Sequence, residues 1–254
     1  MELGIGGKVA VVGGASQGIG FAIAKLLCEE GADVALVARR AEILDEAAGQ
    51  LRAAGGGRVL TIPADICVAE DCERIIEVAA RELGGIDILV NNDGAPPLGE
   101  LEGFDDTAWG KAVEQNLMSV VRLTRGAIPR MRARGGGRIV NIAALSAIQP
   151  MPKFGLSVAT WAGVIAYAKT LSLELAWDRI TVNTVCPGRI ATGRLAQVSG
   201  AGGENPELTR DIPLGRVGQP VEVAALVGYL VGQHGGYVTG ATLQVDGGRR
   251  ASLL

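Results

Sequence analysis

The chain has 254 residues, of which 48% are apolar and 20% are charged, and its formal net charge is −3. This charge argues against a surface that binds nucleic acid or an anionic membrane. The four cysteines form no CxxC pair and the chain has one histidine, so we expect no metal site. No uninterrupted apolar run has membrane-spanning length, and the first residues do not resemble a signal peptide, so we expect a cytoplasmic protein.

Apolar runs rich in Val, Ile and Leu alternate with amphipathic helical patterns along the chain. The predicted strands are Val9–Val12, Asp33–Ala38, Val59–Pro63, Ile86–Asn91, Arg138–Ile142, Ile180–Val185 and Thr242–Asp246. The predicted helices are Gln17–Glu30, Ala41–Ala54, Ala69–Leu83, Asp106–Arg134, Leu156–Trp177 and Pro220–Gly232. Continuous apolar strands are typical of a parallel sheet that is buried on both faces and joined by crossover helices. The sequence therefore predicts a single α/β domain, a doubly wound (Rossmann) parallel sheet with helices on both faces.

A glycine-rich turn joins the first predicted strand to the first predicted helix. Its glycines follow the spacing Gly-x3-Gly-x-Gly, which lets the backbone turn tightly and approach a pyrophosphate. The helix N-terminus adds N–H groups and a partial positive charge. The predicted dinucleotide-binding residues of this turn are Gly14, Ser16, Gln17, Gly18, Ile19 and Gly20.

The second predicted strand bears on the choice of cofactor. A carboxylate at its end would bind the ribose 2′-hydroxyl of NAD, but the strand ends at Ala38 and is followed by Arg39 and Arg40. Because guanidinium groups pair with phosphate, we favour NADP(H) over NAD(H). The alternative is a pair of ordinary surface arginines. Asp65, followed by Ile66, is placed to bind the adenine amino group, although a helix-capping Asp would look the same.

One long segment has no clear periodicity. Ala196–Glu207 is rich in Gly, Ser and Ala and lies in an otherwise compact pattern. Such a stretch is often a lid over a site, and the alternative is an exposed loop.

Motifs spread over nearly the whole chain carry a family resemblance. They are Gly14–Gly20, Asp65, Asn91–Gly94, Asn116, Gly137–Ile142, Val182–Asn183, Pro187–Gly188, Thr192 and Asp246–Gly248. On these motifs the chain resembles the short-chain dehydrogenase/reductase family, in its single-domain, 3-oxoacyl-(acyl carrier protein) reductase-like form. The resemblance implies further cofactor contacts from Asn92, Gly94, Pro187, Gly188, Ile190 and Thr192.

The residues that would carry the family's chemistry are altered. The resemblance implies a Tyr as acid or base, a Lys four residues later, and a Ser about thirteen residues before the Tyr. This sequence has Ser157, Trp161 and Ala144 at those positions, and keeps only the family's water-anchoring Asn, as Asn116. The chain therefore resembles an atypical branch of the family without the Tyr-x-x-x-Lys pair.

Three side chains are candidates for the missing proton chemistry. Asp93 is near the nicotinamide end by family position, Lys153 precedes the helix that carries Ser157, and Ser157 itself could bind a carbonyl. Each has a structural alternative, namely a turn, surface exposure and space filling respectively. Trp161 could stack on a substrate ring, fill an emptied nicotinamide pocket or belong to the core. We expect Ala144, Trp161 and Arg189 to line the substrate pocket.

The sequence leaves three functions open. The first is an NADP(H)-binding oxidoreductase that acts on a small carbonyl or alcohol with a non-standard active site. The second is a non-redox enzyme on the same scaffold, an isomerase, lyase or cyclase with Asp93 as base. The third is a catalytically inactive cofactor-binding subunit. The resemblance also implies a homodimer or homotetramer formed through the helices Asp106–Arg134 and Leu156–Trp177.

Overall fold

The structure, a computed structural model, describes residues 2–92, 94, 96–199 and 206–252, with the backbone alone at 197–199. Its strands are β1 (Val9–Gly13), β2 (Asp33–Ala38), β3 (Val59–Pro63), β4 (Ile88–Asn91), β5 (Gly137–Ile142), β6 (Ile180–Pro187) and β7 (Thr242–Val245). Its α-helices are α1 (Gly18–Glu29), α2 (Ala41–Ala54), α3 (Ala69–Leu83), α4 (Asp106–Val113), α5 (Ser119–Ala133), α6 (Gly155–Glu174), α7 (Gly193–Ser199) and α8 (Pro220–Val231).

The strands form one parallel sheet of seven in the order β3-β2-β1-β4-β5-β6-β7. All five residues of β1 and all eight of β6 are buried, as the continuous apolar runs predict for a sheet covered on both faces. The predicted α/β class and doubly wound sheet are confirmed. β1 has β2 on one side and β4 on the other, so the strand order reverses at this point.

Two helical layers bury the two faces of the sheet. The pleat of β1 sends Ala10 and Val12 to one face, where α1, α2 and α8 pack, and Val9 and Val11 to the other. On that second face α3, α5 and α6 provide the apolar residues Ile75, Met131 and Leu171 among others.

The long predicted helix Asp106–Arg134 is interrupted. Residues Glu114–Met118 form a π-helical turn between α4 and α5. The extra residue of a π turn shifts the helix face, and here it lies beside the completely buried Asn116. A 3.6-residue periodicity does not predict this turn, whose Asn116 donates a hydrogen bond to Thr160 of α6.

Two further elements differ from the sequence expectations. The segment Ala196–Glu207 begins inside α7, and 200–205 lie outside the described residues, so the lid interpretation stays a prediction. The helix α6 is long and apolar enough to cross a membrane by length and composition alone, and 44% of its most apolar stretch is buried within the fold. Core helices meet the same criterion, and Val164, Ala168 and Leu171 of α6 are buried in the core.

Candidate active site

A cleft of about 1070 Å³ runs along the carboxyl ends of the strands. Residues that directly follow β1, β4, β5 and β6 line it, including Gly14, Asn92, Ala143 and Gly188. The carboxyl ends of parallel strands share one edge of the sheet, and a crevice opens there where the strand order reverses. The parallel topology thus brings together the motifs that the sequence separates by more than a hundred residues.

The glycine-rich turn is shaped by close backbone contacts. Gly14 and Gly18 have φ angles of 57° and 61°, in the left-handed region that favours glycine. A Cβ at Gly14 would lie 2.5 Å from the carbonyl oxygen of Asn92, and a Cβ at Gly20 would collide with the Gly14 carbonyl. The Asn92 side chain fixes this packing, since its Nδ2 donates to the Gly13 carbonyl at 3.0 Å. The turn therefore presents backbone, not side chains, to the cleft.

We call the part of the cleft beside the glycine-rich turn the cofactor half. Its opposite wall comes from the segment after β6. Pro187, Gly188, Ile190 and Thr192 all line the cleft, as expected from the sequence. The Thr192 methyl is the nearest neighbour that a Cβ at Gly18 would meet, at 3.3 Å. Hence this segment lies directly against the glycine-rich turn and closes one end of the cleft.

Arg39 and Arg40 lie at the far end of the cofactor half, beyond β2. Both are exposed, and both line the cleft together with Ser16 and Gln17. Within the described part of the chain neither guanidinium forms an ion pair or a side-chain hydrogen bond. Two cations without an internal partner at one end of a cleft suit an anionic ligand.

Some predicted cofactor contacts lie outside the cleft lining. Gly20 lies beneath the turn, and Asp65 and Ile66 follow β3 without reaching the cleft wall. The Asp65 carboxylate accepts the backbone N–H of Cys67 at 3.0 Å, a turn contact, and it is not the helix cap that the sequence left open, since Val68 is the N-cap of α3.

Two of the three positions at which the sequence predicts an altered catalytic set line the other half of the cleft, and the third, Trp161, is part of its wall. Ala144 follows β5, Ser157 is half-buried in the first turn of α6, and both line the wall. Arg189 also lines the cleft, and its place in a substrate pocket stays a prediction. The charged side chains in the described cleft lining are five arginines: Arg39, Arg40, Arg189, Arg194 and Arg249.

Trp161 belongs to the wall of the cleft and does not fill it. The side chain is 3% exposed and packs with Val120 and Val164 in a small apolar cluster. Its Cζ2 is 3.1 Å from the position that a Cβ at Gly94 would occupy. Of the three sequence interpretations, the structure therefore supports core packing with one edge at the cleft.

Asn116 is held behind that wall. It is completely buried, and its Nδ2 donates to the Thr160 hydroxyl of α6 at 2.8 Å. Within the described residues its Oδ1 has no hydrogen-bond partner, and it lies where a Cβ at Gly94 would collide. Asn116 thus ties the π turn to α6 and leaves one buried acceptor beside Gly94.

Of the predicted proton donors, Lys153 is absent from the described cleft lining and Asp93 lies outside the described residues. The candidate Lys153 does not reach inward, because its side chain is 64% exposed and lies 3.9 Å from Glu100. Lys153 has a φ of 68° in the turn before α6, and it is absent from the cleft wall while its neighbours Met151 and Phe154 line it. Asp93 lies outside the described residues, so its role stays a prediction.

Comparisons with known proteins agree with this geometry. A family model described as enoyl-(acyl carrier protein) reductase matches residues 14–250. The chain is 34% identical to bovine dehydrogenase/reductase SDR family member 4, over 97% of this chain and 88% of the relative. It is 38% identical to nodulation protein G of Rhizobium sp. (strain N33), over 95% of this chain and 96% of that protein. The chain belongs to the short-chain dehydrogenase/reductase family.

Solved structures of family members show the same fold. L-sorbose reductase from Gluconobacter frateurii, complexed with NADPH and L-sorbose, matches with a TM-score of 0.95 and 36% identity, covering 100% of both chains. 7α-Hydroxysteroid dehydrogenase, complexed with NADH and an oxo bile acid, matches with a TM-score of 0.91 and 27% identity over 97% of this chain and 96% of that chain.

The cofactor half of this short-chain dehydrogenase/reductase fits a dinucleotide. A Cβ at Gly14 or Gly20 would strike neighbouring backbone, so the turn keeps the bare surface that a pyrophosphate needs. A Cβ at Gly188, across the cleft, would lie 2.9 Å from Asp246 Cα. The glycines on both walls therefore let the backbone pack closely against the chain behind each wall.

Sequence reasoning missed a charged cluster in the other half of this family member's cleft. Arg249, which follows β7, lines the cleft with Arg189, and both bind the Asp211 carboxylate. Burial raises the pKa of Asp211, but the hydrogen bonds from Arg249 and Arg189 outweigh it and lower that pKa. The pair is 60 positions apart in the sequence. No local motif could have revealed it.

Proposed function

We propose that the protein is an NADP(H)-binding short-chain oxidoreductase that acts on a small carbonyl or alcohol through a non-standard active site. The single observation that carries this proposal is the cleft itself, since one half is a glycine-walled cradle ending in two unpaired arginines. The family's shared chemistry, and relatives solved with NADPH, support the same conclusion.

Preference for the phosphorylated cofactor follows from Arg39 and Arg40. A ribose 2′-phosphate is a dianion, and each guanidinium can give it charge-assisted hydrogen bonds. No ion pair within the described chain competes for these two side chains, so binding would break none. Ala38, which ends β2, is cleft-lining and provides no carboxylate to select NAD.

We call the part of the cleft that is lined by Ala144, Ser157 and Arg189 the substrate half. It would bind and orient the substrate without a titrating tyrosine. When bound, the nicotinamide supplies or accepts the hydride. Ser157 lines the cleft with a hydroxyl that can donate a hydrogen bond to a carbonyl oxygen, while Ala144 leaves open the space that a serine would take. The buried indole of Trp161 excludes water from the wall behind them. We propose that this is the atypical branch without the Tyr-x-x-x-Lys pair.

One observation favours a second candidate, a cofactor-binding protein without redox turnover. In the described cleft lining the only ionisable side chains are arginines, which stay protonated and make poor proton donors at neutral pH. A developing alkoxide would then take its proton from water or from a residue outside the described chain, such as Asp93. Loss of a general acid typically lowers the rate by about 10² to 10⁴.

Calorimetric titration with NADPH, NADH and 2′-phospho-ADP-ribose tests the binding part of the proposal. We expect NADPH to bind more tightly than NADH and more tightly than the fragment, which lacks the nicotinamide. Equal binding of NADPH and fragment would mean that the nicotinamide makes no productive contact. NADPH consumption across a ketone panel then separates the oxidoreductase from the second candidate, for which absorbance stays constant.

We also propose a homo-oligomer formed through α5 and α6. The end of α6 and the turn after it expose Leu173 and Trp177, which are 68% and 96% accessible. Large apolar side chains exposed together are typical of an interface. Light scattering after size exclusion would test this, and a monomer at micromolar concentration would refute it.

A further inference from the structure

We propose that the substrate half of the cleft recognises an organic anion, and that the substrate carries a carboxylate or comparable acidic group besides its reacting oxygen. The inference rests on the proposed function, because it assigns the substrate class of the same cleft. It is carried by three arginines that converge on this half, namely Arg189, Arg194 and Arg249.

The charge of this cluster is incompletely neutralised. Arg189 and Arg249 share one carboxylate, that of Asp211, and Arg194 donates to the backbone carbonyl of Pro96 at 3.0 Å. Three guanidiniums therefore face one described carboxylate. Asp211 is itself 49% exposed, so the pair of arginines is held near solvent-accessible space.

Arg249 has spare hydrogen-bonding capacity in a confined place. Its side chain is 11% exposed, and its Nε donates to Asp211 Oδ2 at 2.8 Å. Its Nη2 meets only the thioether of Met151, at 3.5 Å, among the described residues. Sulfur is a weak hydrogen-bond acceptor. This edge of the guanidinium could therefore exchange Met151 for a ligand carboxylate and bind it bidentately.

Apolar side chains surround the charged cluster. Leu98, Met151, Phe154 and Leu208 line the same half of the cleft. Such a lining suits a ligand with an apolar body and one anionic end. The cofactor phosphates do not account for the cluster, because Arg39 and Arg40 lie beside the glycine-rich turn, with Ser16 and Gln17.

Binding of 5-oxo-5-phenylpentanoate and of its methyl ester, measured by calorimetry with saturating NADP⁺, tests the proposal. The two ketones differ in the negative charge and in one ester methyl group, and NADP⁺ cannot reduce either of them. We expect the acid to bind the wild type about tenfold more tightly than the ester, as for a hydrogen-bonded ion pair. Equal binding of acid and ester, or binding of the acid only when NADP⁺ is absent, would overturn the proposal.

Variants identify the residues responsible. Arg249→Gln should bring acid and ester to within about twofold of each other, while Arg216→Gln should keep the wild-type difference. Arg216 is a matched control, because it also pairs with a carboxylate, that of Glu222, and does not line the cleft. Asp211→Asn should tighten binding of the acid, since it removes the competing anion. A misfolded site would not bind the acid more tightly. Weaker binding of the acid by Asp211→Asn than by the wild type would contradict the proposal.

Titration of the wild type with NADP⁺ alone keeps the two proposals distinguishable. Absent NADP⁺ binding would overturn the proposed function, and acid would then be compared with ester in the free protein. Normal NADP⁺ binding without discrimination between acid and ester would overturn the anion site alone.

Discussion

Replacing Arg39 and Arg40 together by glutamine should weaken the proposed binding of NADPH and leave that of NADH nearly unchanged, because only NADPH has a 2′-phosphate. Both side chains are exposed and lack an ion-pair partner in the described chain, so their loss should leave the fold intact. A hydrogen bond to a charged group contributes roughly 1.5–3 kcal/mol. Exposure to water reduces this to about 1 kcal/mol for each arginine.

Two such contributions amount to about 2 kcal/mol, which corresponds to a roughly 30-fold weaker affinity for NADPH. The affinity for NADH should change less than about twofold, because it has no 2′-phosphate. The NADPH penalty should also shrink as salt is raised, since the contacts are solvent-exposed. Calorimetry at two salt concentrations measures both cofactors on the same protein.

The matched control replaces Arg52 of α2 and Arg81 of α3 by glutamine, which changes the net charge equally outside the cleft lining and outside the proposed interface helices. This control should bind NADPH as the wild type does. The reasoning is refuted if the Arg39/Arg40 variant keeps its NADPH affinity, or if it loses NADH and NADPH affinity to the same extent.

Three further predictions concern the fold around the site. Gly14→Ala forces a side chain into a φ of 57° and against neighbouring backbone. It should cost about 1–2 kcal/mol from the dihedral alone and lower the Tm; an unchanged melting curve would contradict this. Burial raises the pKa of Asp87, but hydrogen bonds, first from Arg134, outweigh it and lower that pKa. Its stabilising contribution is therefore complete above its unfolded pKa, about 4, and is lost as pH falls through the folded value. Asp87→Asn should lower the free energy of unfolding at pH 7 by about 2 kcal/mol, a modest loss because Arg134 can rehydrate. The variant should also lose less of this free energy than the wild type between pH 7 and pH 3.5. Urea titrations at the two pH values measure both effects, and an equal loss in variant and wild type would disprove the prediction. Burial raises the pKa of Cys72 to about 11 and that of Cys186 to about 12. Iodoacetamide at pH 8 should leave both unlabelled by mass spectrometry until urea is added, and rapid native labelling would count against their burial.

The sequence predicted the sheet well because its signals are local. Apolar runs mark the strands, and Asp33–Ala38 and Val59–Pro63 are found with their predicted bounds. The π turn at Glu114–Met118 was missed because its cause is not local. The Asn116 side chain bonds Thr160 on α6, which a helical periodicity does not register.

In the candidate site too, residues marked by a local sequence signal could be predicted, and residues placed by tertiary contacts could not. Gly14 and Arg39 were predictable because a motif or a strand end marks each of them. Arg249 was not, since it reaches the cleft only when β7 pairs with β6 and brings the chain after Asp246 beside Asp211. Lys153 was misplaced because a turn with positive φ, invisible in the sequence pattern, leaves it outside the cleft wall.

The order of the strands places the glycine-rich turn and the residues around Ser157 on opposite sides of the reversal point. The glycine-rich turn and the two arginines Arg39 and Arg40 follow β1 and β2, whereas Ala144 follows β5 and Ser157 and Trp161 lie on α6, on the other side of the reversal point. Substitutions in the second group leave the backbone contacts of the glycine turn untouched. A protein with this sheet can therefore change the residues near Ser157 without disturbing the backbone that faces the proposed dinucleotide site.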